Sequence, residues 1–174
     1  LTLPNGSVGQ ILDVADYTSW ETALAEFSAW AGEINILVNN AGTSPNDAGL
    51  EVCSMDLWER TMDINVKSVW MGMRAVVPHM RKAGGGSIVN CASGIVHQGG
   101  VDTVPYAASK GGVIAFTKWV AKEVGTLGIT CNTVAPGPVE TPMTDNMSYS
   151  FESQAVKRLG TPVEVAAAVA YLAS

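Results

Sequence analysis

Tyr106 and Lys110 stand four positions apart among small residues in "VPYAASKGGV", 104–113. Four positions is one helical turn, so on a helix both side chains rise from the same face. A phenol beside an ammonium could move a proton. Free tyrosine titrates near pH ~10, and a neighbouring cation favours its phenolate. Projected at about 100° per residue, 104–126 places Tyr106, Lys110, Val113, Ile114, Thr117, Val120, Ala121 and Val124 in one stripe. Lys118, Lys122 and Glu123 lie away from its centre. Lys110 therefore shares the core-facing side, where an unpaired charge is costly. The other reading, an exposed lysine beside a half-buried tyrosine, requires Lys110 to leave the stripe.

Asn65 is the second polar residue in an apolar setting. Trp58, Met62, Val66, Val69, Met73, Val77 and Met80 recur around it at helical spacing. A buried asparagine must find several hydrogen-bond partners or cost stability. A structural tie from helix to strand and a functional role both meet that demand. The Trp and Met positions read as core or interface packing.

Several elements must position these residues. "QILDV" (10–14) is expected to form a short buried strand, followed by a helix over about 19–31. "INILVNN" (34–40) is a second strand. Ser54 resembles an N-cap, with Asp56 in the first turn of a long helix to about Lys82. "SIVNCA" (87–92) and "GITCNTVA" (128–135) read as strands on either side of the 104–126 helix. "PGPVETP" (136–142) forbids regular structure, and Thr161 with Pro162 opens a closing helix. Apolar strands alternating with helices suit a parallel sheet covered on both faces. The pattern predicts one α/β domain over 1–174, without repeat or linker.

Composition narrows the function. The chain has 174 residues, 47% of them hydrophobic, enough for a substantial core. Charged residues make up only 15%, which hints at surface buried against a partner. A net charge of −6 argues against non-specific nucleic-acid binding. The longest apolar run is far too short to span a bilayer, and no basic segment precedes an apolar run at the start of the sequence. Cys53, Cys91 and Cys131 are widely spaced, and His79 and His97 stand apart from them. Reduced thiols in a cytoplasmic protein, without a metal site, are expected. The triplets at Asn5 and Asn146 match the glycosylation pattern and are read as chance. A second side of the 104–126 helix carries Ala108, Gly111, Gly112, Ala115 and Trp119, suited to close approach of a second subunit.

In order and spacing these motifs resemble the short-chain dehydrogenases/reductases. "LDVAD" (12–16) resembles the family's adenine-contacting strand end, and "ILVNNAG" (36–42) its NNAG strand. "MDINVKSV" (62–69) is similar to the segment with the active-site asparagine, and "GSIVNCAS" (86–93) to the strand ending at the catalytic serine. "YAASK" (106–110) is the YxxxK pair, "NTVAPGPVETPM" (132–143) the PG loop, and 157–174 the late helix. The likeness covers essentially the whole chain.

The resemblance implies a Rossmann-like, doubly wound parallel sheet in three α/β/α layers. It implies an NAD(P)-dependent oxidoreductase interconverting a secondary alcohol and a ketone. Tyr106 would be the general acid/base, and Lys110 would favour its phenolate and hold the nicotinamide ribose. Ser93 would orient the substrate oxygen, and Asn65 would hold a water linking Lys110 to solvent. Asp13 and Val14 would receive the adenine of NAD or NADP, Asn40, Ala41 and Gly42 would line its ribose, and Val139 and Thr141 would meet the carboxamide. Substrate contacts would come from Ser93, Tyr106 and Gly94–His97, with Ile95 an apolar wall, and His97 a wall or surface residue. A homodimer or homotetramer through the 55–82 and 104–126 helices is implied. A non-catalytic binding protein on the same fold is the alternative, although all four catalytic positions are filled.

The family's glycine-rich phosphate turn has no match here. Gly84–Gly86 leads from a helix into a strand, the opposite order. The reading is therefore a domain lacking its first βαβ unit and last strand, from a longer native protein. Unpaired sheet edges, exposed apolar surface and weak cofactor affinity are expected of the 174-residue chain alone.

Overall fold

The computed structural model describes residues 6–45, 48–145, 150–152 and 154–174. Asn5 and residues 146–148, which belong to the two glycosylation-type triplets, lie outside them. Helix α1 (Tyr17–Ala31) begins two residues before the periodicity suggested, because Asp16 caps it by accepting from Thr18 N. Strand β1 (Ile36–Asn39) follows. Ser54 caps α2 (Met55–Met62), which runs through a π-helical turn (Asp63–Lys67) into α3 (Ser68–Ala83). Gly84, at φ 86°, ends α3 in the left-handed conformation that glycine adopts freely.

Strand β2 (Gly86–Cys91), the short α4 (Ile95–Gln98) and the long α5 (Val104–Val124) come next. A 3-10 turn (Gly125–Leu127) leads into β3 (Ile129–Val134). Helix α6 (Pro162–Ala173) opens with a full capping box between Thr161 and Glu164.

The sheet has the order β1-β2-β3, all parallel, with Val38 beside Val89 and Asn90 beside Thr133. Leu37, Ile88, Ile129 and Cys131 join Val69, Met73, Met80 and Val113 in the core between the sheet and α1, α3 and α5. Helix α6 packs on β2 and β3, near Val134. This is the Rossmann-like α/β arrangement. Gly72 lets α3 seat closely, since a Cβ there would lie 2.8 Å from Asn39 Oδ1 and 2.9 Å from the Trp20 ring.

Three expectations need correction. The strand over 10–14 does not form. A strand is held by its neighbour's hydrogen bonds, and no described strand lies beside this segment. It runs instead into a turn, with Ile11 96% exposed and Asp13 Oδ1 accepting from Ala15 N. The apolar stripe of the long helix is also interrupted. The π turn shifts the register, so Thr61, Asn65, Val69, Met71, Met73, Val76 and Met80 are buried while Trp58, Met62, Val66 and Val77 are only half-buried. Finally, the small residues of α5 divide. Gly111 and Gly112 face Val96 and Val66 of this chain, while Ala108, Ala115 and Trp119 are exposed.

Among the described residues β1 pairs along one edge only, and its Ile36 and Val38, which point to the face opposite the buried Leu37 and Asn39, are exposed. No described helix is long and apolar enough to cross a membrane. The three cysteines are free, Cys91 and Cys131 being buried. No group of described residues forms a metal cluster.

Candidate active site

Tyr106 lies in the first turn of α5, half-buried, and Lys110 one turn later is only 5% exposed. The ammonium donates to the Cys91 carbonyl at the end of β2, 2.8 Å away, and lies 5.8 Å from the centre of the Tyr106 ring. The buried reading of Lys110 is the correct one. Burial holds Lys110 below the usual lysine value, opposed by the nearby Cys91. The same burial raises the Cys91 thiol, and Lys110 pulls it partly back. Lysine has three N–H donors, and among the described residues the Cys91 carbonyl is its one hydrogen-bond acceptor.

Asn65 sits in the π turn, fully buried. Its Oδ1 accepts from Thr43 N at 2.8 Å, and its Nδ2 donates to Thr43 O at 2.8 Å and to Ser109 Oγ at 3.0 Å. Both amide hydrogens are therefore spent on protein partners, and the side chain has none left to offer a water. The clamp on Thr43 draws the loop after β1 across the site. Gly42 comes close to both groups, since a Cβ there would lie 3.3 Å from Asn65 Oδ1 and from Lys110 Nζ.

Ser93, half-buried, stands two residues beyond Cys91 and accepts from Ile95 N at 3.3 Å. Among the described residues no hydrogen bond joins it to Tyr106. The strand ends around it are zipped to the PG loop by Ala92 N donating to Val134 O and Gly94 N to Pro136 O, each at 2.8 Å. Further along that loop, Val139 forms a bridge with Gly160, and its carbonyl accepts from Thr144 Oγ1 at 2.7 Å. Thr141, half-buried, donates its N–H to the same Thr144 hydroxyl. A cavity of about 490 Å³ lies between this loop and α6.

Gly42, Asn65, Tyr106 and Lys110 are thus brought together, with the end of β2 leading to Ser93. The remaining residues are arranged around that centre. Asn40 and Ala41 are exposed in the loop after β1, Ile95 is half-buried at the start of α4, and His97 is exposed. Asp13 is exposed in the turn before α1 and lines a cleft of about 480 Å³ with Asp56, Glu59 and Arg60, whereas the Val14 carbonyl accepts from Trp20 Nε1.

Sequence reasoning missed Ser109. It is fully buried, donates to Tyr106 O at 2.7 Å and accepts from Asn65, linking the first turn of α5 to the π turn. Its position three residues after Tyr106 was the available signal. A buried polar chain from Asn39 through Asn90 to Thr117 was missed as well; it ties β1 to β2 and α5.

The fold and this constellation define a two-layered likeness to known proteins. A family model described as enoyl-(acyl carrier protein) reductase matches residues 5–174, and the chain belongs to the short-chain dehydrogenase/reductase family. The 3-alpha-(or 20-beta)-hydroxysteroid dehydrogenase of Mycobacterium tuberculosis H37Rv is 40% identical over 163 residues, covering 94% of this chain and 62% of that protein. The 3-oxoacyl-[acyl-carrier-protein] reductase FabG of Vibrio harveyi is 38% identical over 171 residues, 95% of this chain and 70% of its own length. A crystal structure from Burkholderia xenovorans, assigned to the same family, superposes with a TM-score of 0.90 at 32% identity, covering 97% of this chain and 68% of that one. The chain spans about three fifths of the length of the hydroxysteroid dehydrogenase relatives.

Proposed function

We propose that the protein is an NAD- or NADP-dependent oxidoreductase that interconverts a secondary alcohol and a ketone. The observation that carries the reading is Lys110, a charged side chain held almost out of solvent within reach of the Tyr106 ring. Keeping such a charge out of solvent costs stability, and buried, perturbed charges cluster at functional sites. The relatives' names point the same way: a hydroxysteroid dehydrogenase and a 3-oxoacyl reductase act, by those names, at a hydroxyl or an oxo group.

The residues present suit the nicotinamide end of such a cofactor. Gly42 leaves open the space beside Lys110 Nζ that a Cβ would crowd, and the ammonium retains donors that match sugar hydroxyls. Asn40, Ala41 and Gly42 would line the ribose with Lys110, and Val139 and Thr141 would meet the carboxamide. Asp13 and Val14 would lie toward the adenine. When bound, the cofactor supplies or receives the hydride.

Within this chain, Tyr106 exchanges the proton with the substrate oxygen, with the Lys110 ammonium beside its ring. Ser93 donates to the same oxygen and fixes its orientation. Asn65 and Ser109 hold the loop bearing Gly42 against the first turn of α5, so the reacting groups keep their register. Ile95 offers an apolar wall to the substrate. The exposed Ala108, Ala115 and Trp119 of α5 support assembly as a homodimer or homotetramer.

Tyr106→Phe tests the assignment. It is expected to lower kcat by about 10²–10⁴-fold while cofactor affinity changes little. Nicotinamide absorbance followed across a panel of secondary alcohols reads this directly, and turnover unchanged by the substitution would refute the role of Tyr106.

A further inference from the structure

Arg158 and Glu164 have side chains about 55% and 50% exposed, and an isolated exposed ion pair contributes little to a fold. This pair differs in the backbone it organises. Arg158 Nη1 and Nη2 donate to Glu164 Oε2 and Oε1 at 3.0 and 2.6 Å, a bidentate fork, and Nη1 also donates to Leu159 O at 2.8 Å. Glu164 Oε2 accepts in addition from Thr161 N at 2.7 Å and Thr161 Oγ1 at 3.1 Å. These bonds close a ring around Gly160.

Gly160 reaches back to the PG loop. Its N–H donates to Pro138 O, and its carbonyl accepts from Glu140 N, each at 2.9 Å, so that Gly160 and Val139 lie as a parallel bridge. The upstream end of the loop is held separately, by Gly94 N on Pro136 O. The downstream side of Val139 is therefore held by Gly160 together with Thr144, and the ion pair holds the residues on either side of Gly160.

We propose that Arg158 and Glu164 are positioning residues for the nicotinamide end of the site, fixing Gly160 and through it the backbone of Val139. The inference rests on the redox reading above. Neither residue is assigned a contact with the reacting atoms. Their effect falls on how well the cofactor is seated, not on the proton transfer at Tyr106.

Two variants separate the ion pair from the helix cap. Glu164→Gln keeps an acceptor for Thr161 but loses the charge, and Arg158→Ala removes the fork and leaves the capping box intact. In the full chain, each is expected to raise the cofactor KM about five- to tenfold with kcat within about twofold. The double variant should be no worse than either single, because both break one link. Arg158→Lys, which keeps the charge without the fork, should recover only part of the loss. Amide hydrogen exchange at Gly160 and Glu140 should quicken about tenfold in both single variants. Unchanged exchange, unchanged KM, or additive effects in the double variant would each overturn the proposal. Absence of any nicotinamide turnover by the unaltered protein would instead overturn the redox reading, and the positioning role with it, whatever the exchange shows.

Discussion

Lys110 is 5% exposed, with the Cys91 carbonyl as its acceptor, and burial lowers its affinity for a proton. Replacing it by an apolar chain of similar length should therefore help the fold while harming the chemistry. Lys110→Met is expected to stabilise the protein by about 1–3 kcal/mol near neutral pH, with turnover lost. The sign with pH follows from linkage. Between the lowered native value and the ordinary lysine value near ~10.4, the unfolded chain binds more protons than the native one, so native stability rises with pH. Below the native value the full cost is present. The melting temperatures of the two proteins should consequently converge as pH rises through the lowered native value toward the ordinary lysine value. A gap that widens over that range would contradict the buried-charge account. Lys110 was legible in the sequence because a helical stripe reports which side of α5 faces inward. Ser109 was not, since a short hydroxyl fits core or surface equally and, although its bond to Tyr106 O lies within one turn of α5, its Asn65 partner comes from the tertiary fold.

Helix α3 depends on Gly72, where two effects compete. Alanine in a helix interior gains about 1 kcal/mol over glycine. Overpacking a core costs about 1–3 kcal/mol. The added Cβ would meet the Trp20 ring, held by the Val14 carbonyl, and the Asn39 side chain, which is bonded to Asn90. Neither neighbour can swing aside without losing a bond, so the clash should prevail. Gly72→Ala is expected to lower the urea midpoint, corresponding to a loss of about 1–2 kcal/mol; a raised midpoint would show that the α1–α3–β1 junction yields. Elements whose signals are local were legible in the sequence, such as the Ser54 cap of α2 and the Thr161–Pro162 start of α6. The π turn was not, because its one-residue shift follows from seating Asn65 against Thr43 and Ser109. The 10–14 segment failed for the complementary reason: its apolar residues suit a strand, but strand formation depends on a neighbour.

At the scale of the molecule, the site divides unevenly across the chain. The residues proposed for acid/base work converge at the end of β2 and the start of α5, whereas Asp13 lies in the turn before α1 on a cleft shared with α2 and the π turn. On the outer side of α5, Trp119 is 77% exposed. If α5 meets a second copy there, Trp119→Arg should shift the sedimentation profile toward the monomer, and an unaltered profile would place the contact elsewhere. The central claim, that these residues serve hydride exchange with Tyr106 handling the proton, has a direct test. A secondary alcohol deuterated at its carbinol carbon is incubated with the protein and oxidised nicotinamide, and the reduced cofactor is weighed by mass spectrometry. The account predicts deuterium in the cofactor with the unaltered protein and a loss of nearly all transfer in Tyr106→Phe. No transfer from any alcohol of the panel, or equal transfer by the variant, would contradict it.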